Sequence, residues 1–315
     1  MRRVATLAIL FTAVLRVTPA NANVVQGFVY TAGTATFINL PGAPTGINDA
    51  GQIVGTFREG SAPPDHGFLY DSGSITIIGP PSTGVDSTYA WGINNAGQIV
   101  GNFFSQDGSG FKYLGFLYDA GTYTTIDVPG GVAPSPAGIN DAGQIVGQYL
   151  DGSGAFHGFL YDAGTITTID MPGARDSWAS GINDAGQIVG GFRDASFVTH
   201  GWLRDAAGSF TTIDVPGSNM TGISGINDAG QIVGIYNFFP ATRGFLYSAG
   251  SFTTIDLSGG ATFASGINDA GQIVGSIAGT PLPEPGSMLL FGSGLAGIWA
   301  VARKRREGTA ARYDR

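Results

Sequence analysis

The chain has 315 residues, 43% of them apolar and only 12% charged, with 52 glycines and no cysteine. The apolar share supports a packed core rather than a disordered chain, and the lack of cysteine excludes disulfides, thiolate chemistry and cysteine metal sites. The formal net charge is −8 overall but −14 over residues 23–282, and an acidic body excludes nucleic acid, whose phosphates need a cationic surface.

Residues 1–22 read as a signal peptide. Arg2 and Arg3 form a basic start, VATLAILFTAVL follows as the apolar stretch, and Ala20-Asn21-Ala22 supplies small residues for a cut before Asn23.

The body, residues 23–280, is a repeat array. GINDAGQIVG stands at 46–55, 138–147, 181–190, 225–234 and 266–275, and GINNAGQIVG at 92–101, with starts 46, 46, 43, 44 and 41 residues apart. Each copy belongs to a longer module that opens on a segment such as GFLY (67–70, 115–118, 158–161, 244–247) and continues through one such as TTID (124–127, 167–170, 211–214, 253–256). GFLY alternates, so Phe and Tyr share one face and Leu takes the other. TTID is β-branched and runs into Pro-Gly in three modules, which stops a strand. Asn-Asp-Ala-Gly is a turn. The Ile-Val that follows it puts apolar groups on both faces of a strand, as expected where neighbours cover both sides.

Four short strands in ~40–45 residues is the size of a propeller blade. Such a sheet cannot bury both faces alone, so the six modules predict an all-β, six-bladed β-propeller, with an open solenoid as the alternative. The module also resembles the HAF-type extracellular repeat, which pairs an HAFLY-like strand with a GINDxGQVVG-like hairpin. His66-Gly67-Phe68, His157-Gly158-Phe159 and His200-Gly201-Trp202 match its opening with Gly in place of Ala, whereas Gln26, Leu114 and Arg243 depart from it. The resemblance implies an extracellular repeat fold and no particular chemistry.

Candidate sites divide into consensus and variable residues. The three histidines hold one equivalent module position and would bind metal only if that position faced a central channel; a polar strand opening is the favoured reading. The turn aspartates Asp49, Asp141, Asp184, Asp228 and Asp269, with Asn95 in their place in one module, offer carboxylates to calcium. Capping of their own backbone is favoured over the ion. The series Asp127, Asp170, Asp214 and Asp256 reads the same way. No metal site and no cofactor is therefore expected. The variable connectors carry recognition, since loops on a rigid frame are free to vary. The candidate ligand-binding residues there are Trp91, Phe104, Asp107, Asp151, Trp178, Phe238 and Phe239, aromatic faces beside hydrogen-bonding groups that suit sugar or protein. Phe103, Tyr149, Phe192 and Tyr236 fall one or two residues after GQIVG and are expected to continue their strands into the interior. Among connector aspartates, Asp65, Asp86, Asp107, Asp151, Asp176 and Asp194 would be the carboxylates of a glycosidase or lyase. No GxSxG or HExxH motif is present, and no catalytic residue is assigned.

Residues 281–306 read PLPEPGSMLLFGSGLAGIWAVARKRR. Pro283-Glu284-Pro285 precedes an apolar stretch at 286–302, near the lower limit for a membrane-spanning helix, and Arg303-Lys304-Arg305-Arg306 closes it on the cytoplasmic side. This order resembles the PEP-CTERM sorting signal, which implies recognition and removal by an exosortase after transient anchoring in the inner membrane. A tail, 307–315, follows. Together these readings predict an exported protein of the cell envelope or extracellular surface, a non-catalytic binding or structural component of the envelope or exopolysaccharide matrix. A polysaccharide hydrolase or lyase on the same scaffold is the alternative.

Overall fold

The β-branched and aromatic segments of the body are strands, and the glycine-bearing segments between them are turns. The computed structural model describes residues 25–279 apart from 61–63, 80–84, 108–109, 239–240 and 258–259. The expected signal peptide, the apolar segment at 286–302 with its sorting motif, and the tail lie outside the described residues. Among the described residues no helix is long and apolar enough to cross a membrane.

The chain opens with β1 (Val25–Thr31) and β2 (Thr34–Ile38). Blade I is β3 (Ala43–Ile47), β4 (Ile53–Arg58), β5 (Asp65–Asp71) and β6 (Ser74–Ile78). Blade II is β7 (Val85–Ile93), β8 (Ile99–Asp107), β9 (Gly110–Asp119) and β10 (Thr122–Ile126). Blade III is β11 (Val132–Ile139), β12 (Ile145–Leu150), β13 (Phe156–Asp162) and β14 (Thr165–Ile169). Blade IV is β15 (Asp176–Ile182), β16 (Ile188–Arg193), β17 (Thr199–Arg204) and β18 (Phe210–Ile213). Blade V is β19 (Met220–Ile226), β20 (Ile232–Phe238), β21 (Ala241–Ser248) and β22 (Ser251–Ile255). Blade VI joins β23 (Gly260–Ile267) and β24 (Ile273–Gly279) to β1 and β2.

These are six antiparallel four-stranded sheets, the expected six-bladed propeller. The ring closes because β1 pairs with β24, from Val25↔Ala278 to Tyr30↔Ile273. The innermost strands touch in sequence, and β23 meets β3. The sequence modules are therefore out of phase with the blades. Each GFLY strand pairs with the decapeptide hairpin that precedes it, so the end of one module and the start of the next make one sheet.

Six hydrophobic clusters fill the six gaps between blades. Between blades I and II, Val54 and Ile78 meet Ala90, Ile93, Ile99 and Phe116. Ile53 faces the opposite gap, toward Val274 of blade VI. The Ile-Val pair thus serves two interfaces from one strand, as the sequence predicts. Phe116 and Tyr118 share one gap while Leu117 packs in the next. Phe28, Phe68, Phe116, Phe159, Trp202 and Phe245 are fully buried, and each ring of this size contributes roughly 1.5–3 kcal/mol of burial.

The third and outer strands of five blades join through two-residue hairpins: Ala32-Gly33, Ser72-Gly73, Ala120-Gly121, Ala163-Gly164 and Ala249-Gly250, with both residues at positive φ. That is the geometry whose twist matches paired strands. Blade IV has a longer turn, Asp205–Ser209, closed by Gly208 N–H to the Asp205 carbonyl at 2.9 Å.

Candidate binding surface

Antiparallel order decides which loops share an end of the ring. Turns from the innermost to the second strand, and from the third to the outer strand, open on one end. Loops from the second to the third strand, and connectors to the next blade, open on the other. The first end carries the near-identical decapeptide turns and, apart from the longer Asp205–Ser209 turn of blade IV, varies little; the second carries the variable segments.

At the constant end, Asn48 Oδ1 accepts from Gln52 N–H at 3.0 Å, so the asparagine caps its own turn. Its Nδ2 donates to Gln52 Oε1 at 2.8 Å and to the Asn94 carbonyl of the next blade at 3.1 Å. The last link repeats through Asn94, Asn140, Asn183, Asn227 and Asn268, whose Nδ2 returns to the Asn48 carbonyl at 3.0 Å. A second ring lies outside it. Asp49 N–H donates to Asn95 Oδ1 at 2.9 Å, and the pattern runs round to Asp269 N–H donating to Asp49 Oδ1 at 2.8 Å. The turn aspartates therefore cap the neighbouring blade's backbone, not their own as the sequence suggests. Asn95 Nδ2 also donates to Asp49 Oδ2 at 2.9 Å and Asp141 Oδ2 at 3.0 Å. Burial pushes the Asp269 carboxyl up, and the like charges of Asp228, Asp49 and Asp184 add to it.

The axis is narrow. A cavity of about 100 Å³ is lined by five Ile-Asn-Asp turns and the Ile93-Asn94-Asn95 turn, and one of about 80 Å³ lies among Thr45, Trp91, Ala137, Ser180, Ser224 and Ser265. The histidines are not on it. They open the third strands, β5, β13 and β17, as the polar reading expects. His157 Nδ1 bonds Asp170 Oδ2 at 2.7 Å and Nε2 bonds Asp151 Oδ2 at 3.3 Å. The Asp170 carboxylate, then Asp151, hold this imidazole above its ordinary pKa. His200 repeats the contact with Asp214 at 2.7 Å, and Arg243 with Asp256 at 2.8 Å. In blades III, IV and V the second aspartate series thus fastens the end of the outer strand to the start of the third; Asp170 and Asp214 also accept the Gly158 and Gly201 N–H groups.

The described candidate ligand residues are spread over blades II to V, not gathered. Trp91 is half-buried in the axial cavity, its Nε1 donating to Asn102 Oδ1 at 2.6 Å and its ring stacked on Tyr89. Trp178 lies across the bare backbone of Gly191. Asp151 Oδ1 accepts from Ser153 N–H and Oγ–H and from Ala155 N–H, which hold its pKa far below the usual range. Phe104 packs on Tyr113 with ring centroids 4.9 Å apart. Asp107 and Phe238 end β8 and β20; their side chains, and Phe239, lie outside the description. Phe103, Tyr149, Phe192 and Tyr236 pack into the inter-blade clusters, as expected.

Four aspartates read as connector residues are instead strand residues, Asp65, Asp86, Asp107 and Asp176, of which Asp86 lies on β7 and Asp107 ends β8. Asp65 on β5 and Asp176 on β15 are each 7% exposed. Arg58 grips Asp65 at both oxygens, Nε at 2.6 Å and Nη2 at 2.7 Å, and Tyr89 Oη donates to Asp65 at 2.7 Å. The guanidinium holds the Asp65 carboxyl below its usual pKa. A depressed folded-state pKa gives stability that is present above the unfolded value of about 3.9 and lost as pH falls through the folded value. Arg58→Gln is thus expected to lower the urea midpoint more at about pH 7 than at about pH 2, because protonation of Asp65 removes the charge that the guanidinium stabilises. An equal loss at both pH values would show that the pair acts only through packing. Sequence reasoning missed Arg175 and Phe197, which pack on each other, and Arg193 over Trp178; the signal was a glycine absent from one turn.

A protein-family model described as the PEP-CTERM protein-sorting motif matches residues 281–306. The chain thus carries the signal of an exported exosortase substrate, built on a propeller. No curated protein matches the chain. Among solved structures, a putative TolB from Agrobacterium tumefaciens aligns with TM-score 0.56 at 13% identity, covering 83% of this chain and all of that one (100%). TolB from Acinetobacter baumannii aligns with TM-score 0.50 at 15% identity, covering 76% of this chain; the chain spans about half (54%) of that structure's length. At these identities the likeness is one of fold alone.

Proposed function

We propose that this protein is a non-catalytic binding component of the cell envelope or exopolysaccharide matrix, a HAF-type repeat ring sorted to the surface and holding polysaccharide through its variable end. One observation carries this reading: the inter-blade connectors and the second-to-third strand loops, which differ most in length and sequence, open on one end of a ring whose other end is built round six near-identical turns bonded to one another. A frame locked by two closed hydrogen-bond rings keeps loops in fixed relative positions, which lowers the ordering cost of binding. Several weak contacts on one rigid ring also gain from high effective concentration.

The test is retention of the full chain on extracellular polymer with the products followed in solution. Retention with no new reducing ends and no unsaturated sugars is expected. Steady release of either overturns the reading in favour of a hydrolase or lyase.

A further inference from the structure

We propose that the variable end of blade IV binds a carboxylated sugar, the uronate unit of an acidic polysaccharide, on a platform made by Phe197, Trp178, Arg175 and Arg193. The proposal rests on the polysaccharide-binding reading above and names its ligand class.

The first observation is a residue in the wrong conformation for its type. The β16–β17 loop is a tight turn: Asp194 N–H bonds the Val198 carbonyl and Phe197 N–H bonds the Asp194 carbonyl, both at 3.1 Å. The same turn recurs at Asp151–Ala155 and Asp205–Ser209, with Gly154 and Gly208 at the position of Phe197. Those glycines sit at φ 83° and 95°, and Phe197 sits at φ 64°. A bulky side chain is strained there, and glycine is not. The strain holds a ring in solvent: Phe197 is 59% exposed and Val198 beside it 37%.

The second observation is unspent cationic capacity beside that ring. Arg175 places its guanidinium carbon 3.9 Å from the Phe197 ring centre, and Arg193 places its own 5.9 Å from that of Trp178. Both guanidiniums lean on the one buried carboxylate of Asp176 at long range, 3.7 and 3.5 Å. Among the described residues neither makes a side-chain hydrogen bond. Arg58 occupies the same strand-end position in blade I, and there Asp65 takes its fork at 2.6 and 2.7 Å. In blade IV the residue equivalent to Asp65 is Thr199, so the fork of Arg193 has no carboxylate opposite it to take both of its arms. The nearby Asp194 does not fill it: its Oδ1 accepts from Ser196 and Val198 N–H, and its Oδ2 lies 3.7 Å from His200.

Two guanidiniums share one carboxylate, and Asp194 is taken up by its own turn, so guanidinium N–H groups are left for an anion on an otherwise acidic body. Planar forks match carboxylates in bidentate geometry, and an exposed aromatic face takes the C–H face of a pyranose. A uronate offers both groups on one ring. General attraction is no substitute, since a body of net charge −14 repels a polyanion.

The experiment titrates full-length chain with polygalacturonate oligosaccharides and with their methyl esters, at fixed salt, by calorimetry. Binding of the free acid and at least about tenfold weaker binding of the ester is expected, the worth of one charge-assisted contact. Arg193→Gln should weaken acid binding about tenfold. Phe197→Gly should weaken it too while raising Tm by about 2 °C, because glycine relaxes the turn. A stable variant that binds poorly separates recognition from folding. Equal binding of acid and ester, no binding of the acid, or wild-type affinity in both variants overturns the proposal. If neutral polymer is still retained, the wider binding function stands without it; if the oligosaccharide is cleaved, the wider reading falls instead.

Discussion

Gly101→Val is expected to cost the ring about 4 kcal/mol or more, beyond the usual range for overpacking. Gly101 ends its decapeptide on β8, opposite Ala90 of β7. A β-bulge interrupts that pairing between Ala90 and Gly92, and it turns the Tyr89 carbonyl toward the Gly101 α-carbon. A Cβ there overlaps that carbonyl oxygen and comes 2.9 Å from the Phe116 ring. The carbonyl is backbone and cannot swing away without opening the sheet, and Phe116 is fully buried, with no space to enter. The arrangement recurs in every blade. Gly55, Gly147, Gly190, Gly234 and Gly275 each face a bulge carbonyl and an aromatic ring, Phe68, Phe159, Trp202, Phe245 and Phe28 in turn. Glycine, bulge and ring are therefore one device, in which the absent side chain is the seat of the aromatic. Gly152→Ala is the control, since nothing lies within 4 Å of its added carbon, and it should stay within about 0.5 kcal/mol of wild type. Urea unfolding of the two variants decides the matter. A Gly101→Val ring with the wild-type midpoint would mean the bulge is free to rearrange.

This device explains how far the fold was legible. The repeated Gly-Gln-Ile-Val-Gly shows apolar residues on both faces of a strand, and that pattern demands covering sheets on both sides, so blade number and architecture follow from counting. The phase of the blades does not. A cyclic array has no natural first unit, and the chain was free to start at any strand. That β1 and β2 complete blade VI is visible only in the register of Val25 against Ala278. The turn aspartates were misread for a related reason. Asp49 bonds a residue one whole repeat away, Asn95, and the ring closes through Asp269, so local sequence holds no trace of the partner. At the variable end, Asp151 and Asp194 look alike as connector residues. Only alignment of their turns shows that Phe197 stands where Gly154 does, and only coordinates show Arg175 over its ring and Arg193 over that of Trp178.

Asn95→Asp is expected to destabilise the ring by about 2 kcal/mol near neutral pH, and progressively less toward acid. In the wild type, Asn95 is the one amide in a circle of five carboxylates. It accepts the Asp49 N–H through Oδ1, as each aspartate accepts its neighbour's, and spends its two amide hydrogens on Asp49 Oδ2 and Asp141 Oδ2. Aspartate keeps the acceptor and loses both donors. Two hydrogen bonds to charged groups become two contacts between like charges about 3 Å apart. The sign with pH follows from Asp269, whose folded-state pKa is already raised by burial and by the charges of Asp228, Asp49 and Asp184. A carboxyl with a raised folded-state pKa binds more protons folded than unfolded, so it destabilises above that pKa and costs nothing below the unfolded value of about 3.9. A sixth carboxylate adds to that penalty, and the variant should lose stability as pH rises from about 4, more steeply than wild type. The reciprocal change gives a second arm. Asp184→Asn keeps the Oδ1 that accepts the Asp141 N–H and removes a charge, so it should raise the urea midpoint near neutral pH. Urea midpoints of both variants across the acid range are the measurement. Parallel wild-type and Asn95→Asp curves would show that the carboxylates are screened from one another by solvent, and the single asparagine would then be no more than a neutral replacement.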